Sequence, residues 1–339
     1  MMRLPPFTYL APRTVDEAAR LLAEHGSRAM PVAGGTDLFP NMKRRQFEPE
    51  VLVGLGGIRG LAGVGGRAGE GLRIGATTTL TEVAEHPEVA RHYPALATAA
   101  GLVSTPQLRN AGTIGGNVCV DTRCNYYNQS WEWRQAIGFC MKKDGDICLV
   151  APGSPRCWAV SSSDTAPVLW SLGAEVSLVG TSGGRTIPIA ALYRDDGINY
   201  LARRPDEVLT EIRLPPADGW RSCYLKLRRR GAFDFPVLGV AVAVRLDGDT
   251  VREARIVLGA VASLPREATA AGQALVGQRL TPEVITRVAD LAAGPARPLD
   301  NTDYAHFYRK RMTRVFVTRA LHSIAAGRDG GGAGAEAAP

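Results

Sequence analysis

No stretch of this 339-residue sequence approaches the roughly 18 consecutive apolar residues a helix needs to cross a bilayer, so no membrane contact is expected. Histidine is scarce, and His25, His86, His92, His306 and His322 form no His-x-x-x-His pair, which excludes a helix-borne zinc hydrolase centre. There is no Walker A loop. The segment GLGGIRG at Gly54–Gly60 carries Arg59 where a Gly-x-Gly-x-x-Gly fingerprint needs its third glycine, so nucleotide hydrolysis and nicotinamide binding lack support. The opening MMRLPPFTYLAPRT has no continuous apolar stretch leading to a small-residue cleavage site, and a cytoplasmic location is expected. Thiols stay reduced there, so the six cysteines are candidates for metal ligands or core residues rather than disulfides. Acidic residues are outnumbered, giving a formal charge of +7, yet the longest basic run, Lys226–Arg230, is short and free of interleaved aromatics. It reads as a solvated strand face or a ligand-side cluster rather than a nucleic-acid surface.

What is present is a globular composition, 45% apolar and 22% charged, on a chain long enough for two or three packed domains. Thr14-Val-Asp-Glu17 matches a capping box ahead of a helix over Ala18–His25. Short strands are expected at Arg28–Ala33, Val51–Leu55 and Leu72–Ala76, with a helical region through Thr81–Ala100. Asp164–Leu172 reads as helix and Ala174–Val179 as strand, and Pro215-Pro216 marks a boundary. Beyond it, Ser222–Arg229, Val237–Leu246 and Arg255–Ala262 predict a three-stranded antiparallel sheet. Helices at Pro265–Val276, Thr281–Leu291 and Asp303–Ala326 would cover one of its faces. The fold class is α+β. The Gly- and Ala-rich residues from Gly327 to Pro339 are expected to be disordered.

Two glycine loops carry the first chemical signal: PVAGGTDL at Pro31–Leu38 and NAGTIGGNV at Asn110–Val118. Glycine lets backbone approach a ligand closely, and successive N–H groups in such turns make a concave anion site suited to a pyrophosphate. Taken singly, each loop reads first as a plain tight turn.

The second signal is a segment holding four of the six cysteines. Cys124, Cys140, Cys148 and Cys157 are separated by fifteen, seven and eight residues, too far apart for ferredoxin spacings or a Cys-x-x-Cys zinc ribbon. Thiolate is the soft ligand that iron–sulfur clusters and zinc require, whereas buried core thiols are the plain alternative. The segment is rich in Lys, Arg, Asp, Asn and Gly and offers little core of its own in which to hide cysteines. Cys119 and Cys223 read as structural.

PVAGGTDL and QLRNAGTIGGN, with GATTTL at Gly75–Leu80 between them, together resemble the flavin-binding subunit of the molybdenum hydroxylases. The likeness runs from FTYLAPRTVDEAARLL through SDTAPVLWSLGAEV at Ser163–Val176 to LKLRRRGAFDFPVLGVAV at Leu225–Val242. It implies a two-subdomain FAD-binding domain of vanillyl-alcohol-oxidase/PCMH type over 1–216, divided near 55, then a CO-dehydrogenase-flavoprotein-like domain over 217–326. It also implies the cofactor ligands: Ala33, Gly34, Gly35, Thr36 and Asp37 in one FAD loop, and Thr113, Gly115, Gly116 and Asn117 in the other. Asp164 would bind the ribityl or adenosine part, and Lys226 would lie near the isoalloxazine ring.

The insertion, about 119–160, with RCNYYNQ, FCMKKDGD and SPRCWAVSSSDTAP around its cysteines, is similar to the β subunits of the 4-hydroxybenzoyl-CoA reductase group. That resemblance implies a [4Fe-4S] cluster on Cys124, Cys140, Cys148 and Cys157, a reduced ferredoxin as donor, and partner subunits holding [2Fe-2S] centres and molybdenum cofactor. The basic residues Arg123, Arg134, Lys142, Lys143 and Arg156 would then suit docking of an acidic ferredoxin, or simply form a solvated loop. Two other readings stay open: a flavin subunit of a molybdenum hydroxylase acting on a different aromatic, and a zinc-stabilised binding module without redox activity.

Overall fold

The computed structural model describes residues 3–329, so the expectation for the tail falls outside the described residues from 330 onward. Three sheets organise the chain. The first is parallel, in the order β1 (Thr8–Leu10), β3 (Val51–Gly54), β2 (Ala29–Val32), with α1 (Val15–His25) and α2 (Leu38–Lys43) as its connections. Thr14 caps α1 by accepting the Glu17 N–H at 3.1 Å, but the expected box does not close. Glu17 reaches past the cap to the Arg13 N–H at 2.8 Å. Both interactions favour the positive end of the helix dipole, so the helix starts where expected.

The second sheet is antiparallel, in the order β4 (Val64–Arg67), β5 (Gly71–Gly75), β8 (Val208–Leu214), β6 (Glu175–Gly180), β7 (Gly183–Pro188). The helical region expected over Thr81–Ala100 is three helices, α3 (Leu80–Glu85), α4 (Pro87–His92) and α5 (Pro94–Gly101). Pro87 and Pro94 each open a new helix at its first position, where a missing N–H costs nothing. Then come α6 (Pro106–Arg109), α7 (Ile114–Val118), α8 (Trp131–Ala136) and α9 (Thr165–Ser171).

The C-terminal sheet has four strands rather than three: β9 (Trp220–Leu227), β10 (Leu238–Asp247), β11 (Thr250–Gly259) and β12 (Arg266–Glu267). β12 is a two-residue edge strand that leaves no hydrophobic pattern to read. Period-two alternation sends Cys223, Leu225, Val240 and Val242 to a core shared with α10 (Thr269–Leu275), α11 (Pro282–Ala292) and α12 (His306–Ala325). Tyr224, Ala241 and Ala243 point the other way, into the core of the second sheet and its helices α5 and α9. The C-terminal sheet is therefore buried on both faces.

Candidate flavin site and cysteine centre

The two glycine loops interlock. A Cβ on Gly34 would overlap the Ala111 carbonyl oxygen, and one on Gly112 would stand 3.2 Å from Thr36 Oγ1. Gly35 has φ +68° and packs under the Phe39 ring, a combination open only to glycine. The segment Gly75–Leu80 seats the second loop. Gly115 N–H donates to Ala76 O and Ile114 N–H to Thr78 O, both at 2.9 Å, while Leu80 N–H donates to Gly112 O at 2.9 Å. Thr113 caps α7 by accepting the Gly116 N–H at 3.1 Å. The outward side of this locked pair is a backbone shelf on which Ala33–Asp37 are half-buried and Gly116 is exposed.

Beneath the shelf the proposed ligands brace one another. Asn117 is buried, and its Oδ1 accepts from Ser163 Oγ (2.8 Å), Thr165 Oγ1 (2.7 Å) and Thr165 N–H (3.2 Å), tying the second loop to the start of α9. Asp164 and Lys226 form a buried ion pair at 2.9 Å, each side chain 2% exposed. Asp164 also accepts from the Tyr224 hydroxyl at 2.8 Å, and Lys226 donates to Leu102 O at 3.0 Å. Burial raises the Asp164 carboxyl and lowers the Lys226 ammonium, each pulled back by its partner's charge. Lys226 is thus neither a solvated strand lysine nor part of an exposed basic run. Tyr224, two residues before it on the same strand face, completes the network, and only that spacing hinted at it.

Asp37 leads to the cysteines. It is ion-paired with Arg123 and accepts from Asn41 Nδ2 at 3.0 Å. Arg123, the residue before Cys124, also lies 4.3 Å from the Phe235 ring centroid, and burial lowers its guanidinium to about 10. The insertion is fastened to α2 and its C-terminal turn: Gln46 Nε2 donates to Tyr127 O at 2.5 Å, and the fully buried Arg134 donates to Arg44 O (3.1 Å) and Arg45 O (2.9 Å).

Contrary to the expectation from its composition, the insertion builds a core of its own. Cys124, Cys140 and Cys157 cluster with Tyr127 and Ala159, and Tyr126, Met141, Leu149 and Val150 pack around them; Cys148 is buried as well. Burial pushes the Cys124 thiol up to about 12 and Cys157 up to about 11. Backbone N–H groups of Tyr126 and Ala159 pull them back, and neighbouring cysteines, Cys140 acting on both and Cys148 on Cys157, push them further up. Among the described residues no group of three or more His, Cys, Asp or Glu side chains could hold a single metal ion.

The expected basic docking patch is absent. Arg123 and Arg134 are buried. Lys142 turns inward, donating to Asp121 Oδ1 (2.8 Å), Thr122 Oγ1 (2.8 Å) and Gly197 O (2.6 Å) between the rings of Tyr127 and Tyr200. Arg156 pairs with Asp195 at 3.0 Å and stacks on Trp158, and Lys143 pairs with Asp144 at 3.1 Å. Lys142 and Lys143 pair with carboxylates inside the insertion, while Arg123, Arg134 and Arg156 bond to the segments it packs on.

Interlocked glycine loops on a two-sheet scaffold, closed by a doubly packed third sheet, define a FAD-binding domain joined to a flavoprotein C-terminal domain. Residues 5–217 match the family described as FAD binding domain in molybdopterin dehydrogenase, and residues 222–324 match the CO dehydrogenase flavoprotein C-terminal domain. The chain is 31% identical over 320 residues to the carbon monoxide dehydrogenase medium chain of Hydrogenophaga pseudoflava, covering 94% of this chain and 97% of that one. It is 34% identical over 268 residues to the aldehyde oxidoreductase FAD-binding subunit PaoB of Escherichia coli, covering 76% and 82%. The solved Hydrogenophaga pseudoflava carbon monoxide dehydrogenase lacking the Mo-pyranopterin moiety superposes with a TM-score of 0.79 at 32% identity, over 97% of this chain and 100% of that one. The chain belongs to the FAD-binding medium-subunit family of the molybdenum hydroxylases, and is an oxidoreductase flavoprotein subunit. The reading as a zinc-stabilised, non-redox binding module does not survive these findings, since the chain belongs to an oxidoreductase flavoprotein family.

Proposed function

We propose that this chain is the electron-transfer subunit of a 4-hydroxybenzoyl-CoA reductase-like enzyme, carrying FAD and a [4Fe-4S] cluster. It would take electrons from reduced ferredoxin and pass them to partner subunits holding [2Fe-2S] centres and molybdenum cofactor, for reductive removal of an aromatic hydroxyl. The observation that carries this reading is the gathering of Cys124, Cys140 and Cys157, sixteen and seventeen positions apart, into one small buried cluster, with Cys148 buried as well and Arg123 linking the insertion to the first glycine loop. Four buried cysteines in one insertion would supply the four thiolates that a [4Fe-4S] cluster needs. When bound, FAD supplies one- and two-electron chemistry and the cluster one-electron chemistry.

The chain's own residues would do the rest. Cys124, Cys140, Cys148 and Cys157 would ligate the iron, and the N–H of Ala159, 3.4 Å from Cys157 Sγ, would stabilise thiolate charge. Gly34, Gly35 and their neighbours Ala33, Thr36 and Asp37 would hold the pyrophosphate together with Thr113, Gly115, Gly116 and Asn117. Asp164 and Lys226 would act on the flavin from the floor they brace.

The co-expressed complex, prepared anaerobically, should contain four irons and four acid-labile sulfides beyond those of the [2Fe-2S] centres, and Cys140→Ser should lose them while FAD stays bound. An iron content that Cys140→Ser leaves unchanged would remove the cluster from this subunit. Gly197 offers a second check, since a Cβ there would stand 2.6 Å from Cys157 Sγ. Gly197→Ala should lower the iron content by displacing that ligand, with the flavin-to-protein ratio unaffected.

A further inference from the structure

The insertion does not hold its cysteines unaided. Asn301 lies in the loop between α11 and α12, far along the chain from the insertion, and is 1% exposed. Its backbone carbonyl accepts the Asn125 N–H at 2.8 Å, the N–H of the peptide that joins Asn125 to Cys124. Its side-chain Nδ2 donates at 2.6 Å to the carbonyl of Trp158, the residue after Cys157. One residue of the C-terminal domain therefore grips the backbone beside the first and the last of the four cysteines.

Asn301 is in turn held by a side chain that would otherwise be hard to explain. Arg309, in the first turn of α12, is completely buried and has no carboxylate in direct contact among the described residues. Its guanidinium donates to Val237 O (2.9 Å), Leu299 O (2.8 Å), Ala260 O and Asn301 Oδ1 (3.5 Å). An interior cation bonded to carbonyls carries a desolvation cost, and burial lowers it to about 10. The arrangement gives in return a fixed 299–301 turn, with Asn301 N–H bonded to Leu299 O at 2.8 Å and its Nδ2 aimed at Trp158. Two further contacts close the same seam: Ser161 N–H to Ala262 O at 2.9 Å and Ser263 Oγ to Cys157 O at 3.4 Å.

We propose that Asn301, set by Arg309, is a positioning residue for the cysteine centre, so that the C-terminal domain fixes the separation of Cys124 from Cys157. The proposal rests on the cluster reading above. It makes the centre an interdomain site, although all four cysteines lie in one insertion.

The test compares the co-expressed complex carrying Asn301→Ala with wild type and with Asp303→Asn, a nearby change to an exposed residue whose Arg229 partner is 3.7 Å away. Iron and sulfide per FAD, chelator-driven iron release and the electron paramagnetic resonance spectrum of the reduced centre are measured. Losing a buried hydrogen bond beside a ligand should speed iron release about tenfold in Asn301→Ala and alter the spectrum. FAD per chain and the Asp303→Asn protein should match wild type. If Asn301→Ala does not fold, Asn301→Ser, which keeps a shorter donor, should show the same change to a lesser degree. Unchanged iron release and spectrum overturn the proposal, as does loss of FAD in step with iron, which would mean general damage. An iron-free wild-type complex would instead sink the cluster reading, and the proposal with it.

Discussion

The Gly34→Ala protein is expected to purify without its flavin. The new Cβ would overlap the backbone oxygen of Ala111, so the two loops could not both keep their places. Overpacking costs about 1–3 kcal/mol even where side chains can yield, and here the obstacle is main chain. FAD affinity should fall by about a hundredfold or more. Gly69→Ala provides the contrast: nothing lies within 4 Å of its Cβ, and the residue is exposed and outside both loops. That variant should keep far more flavin. Equal flavin content in the two purified proteins, read from the visible absorbance per chain, would count against the interlocked loops as the FAD shelf.

Lys226→Met should bring the largest loss of stability. Removing one member of a buried pair leaves the other charge stranded, which costs about 3–5 kcal/mol, softened here by the remaining Tyr224 hydrogen bond. The defect should depend on pH in a defined direction. Asp164 is already raised above its ordinary value by burial, and without Lys226 it rises further. A carboxyl raised in the folded state favours folding when protonated, below its unfolded value near 3.8, and that contribution is lost as pH climbs through the higher folded value. The gap in melting temperature between wild type and Lys226→Met should therefore narrow as pH is lowered from 7 toward 4. A gap that widens on acidification would show that Asp164 is not the stranded group.

Apolar patterning made α11, α12, β10 and the parallel strands β2 and β3 visible in the sequence, to within a few residues, whereas the three-residue β1 was not expected. The glycine loops were visible as well, although each alone reads as a tight turn and only their combination carried the flavin resemblance. What stayed hidden was contact between distant segments. Nothing local says that Asn117 braces Ser163 and Thr165, that Arg123 seeks Asp37, or that Asn301 meets the insertion. The basic residues misled for the same reason: a charge in a polar loop reads as solvated, whereas Arg134 and Lys142 are consumed by carbonyls and a carboxylate underneath. The insertion's core was missed because cysteine, tyrosine and alanine at irregular intervals carry no period.

The two family matches meet between residues 217 and 222, where a genetic engineer would place a cut or a fusion point. The doubly buried sheet argues otherwise. Tyr224, Ala241 and Ala243 leave the C-terminal half only to enter the core of the N-terminal half, and Lys226 crosses the same plane to neutralise Asp164. A C-terminal fragment would present that apolar face to water with an unpaired lysine at its centre, and an N-terminal fragment would bury a lone carboxylate. The two halves are modular as text and indivisible as matter, and chimaeras between relatives should exchange them together.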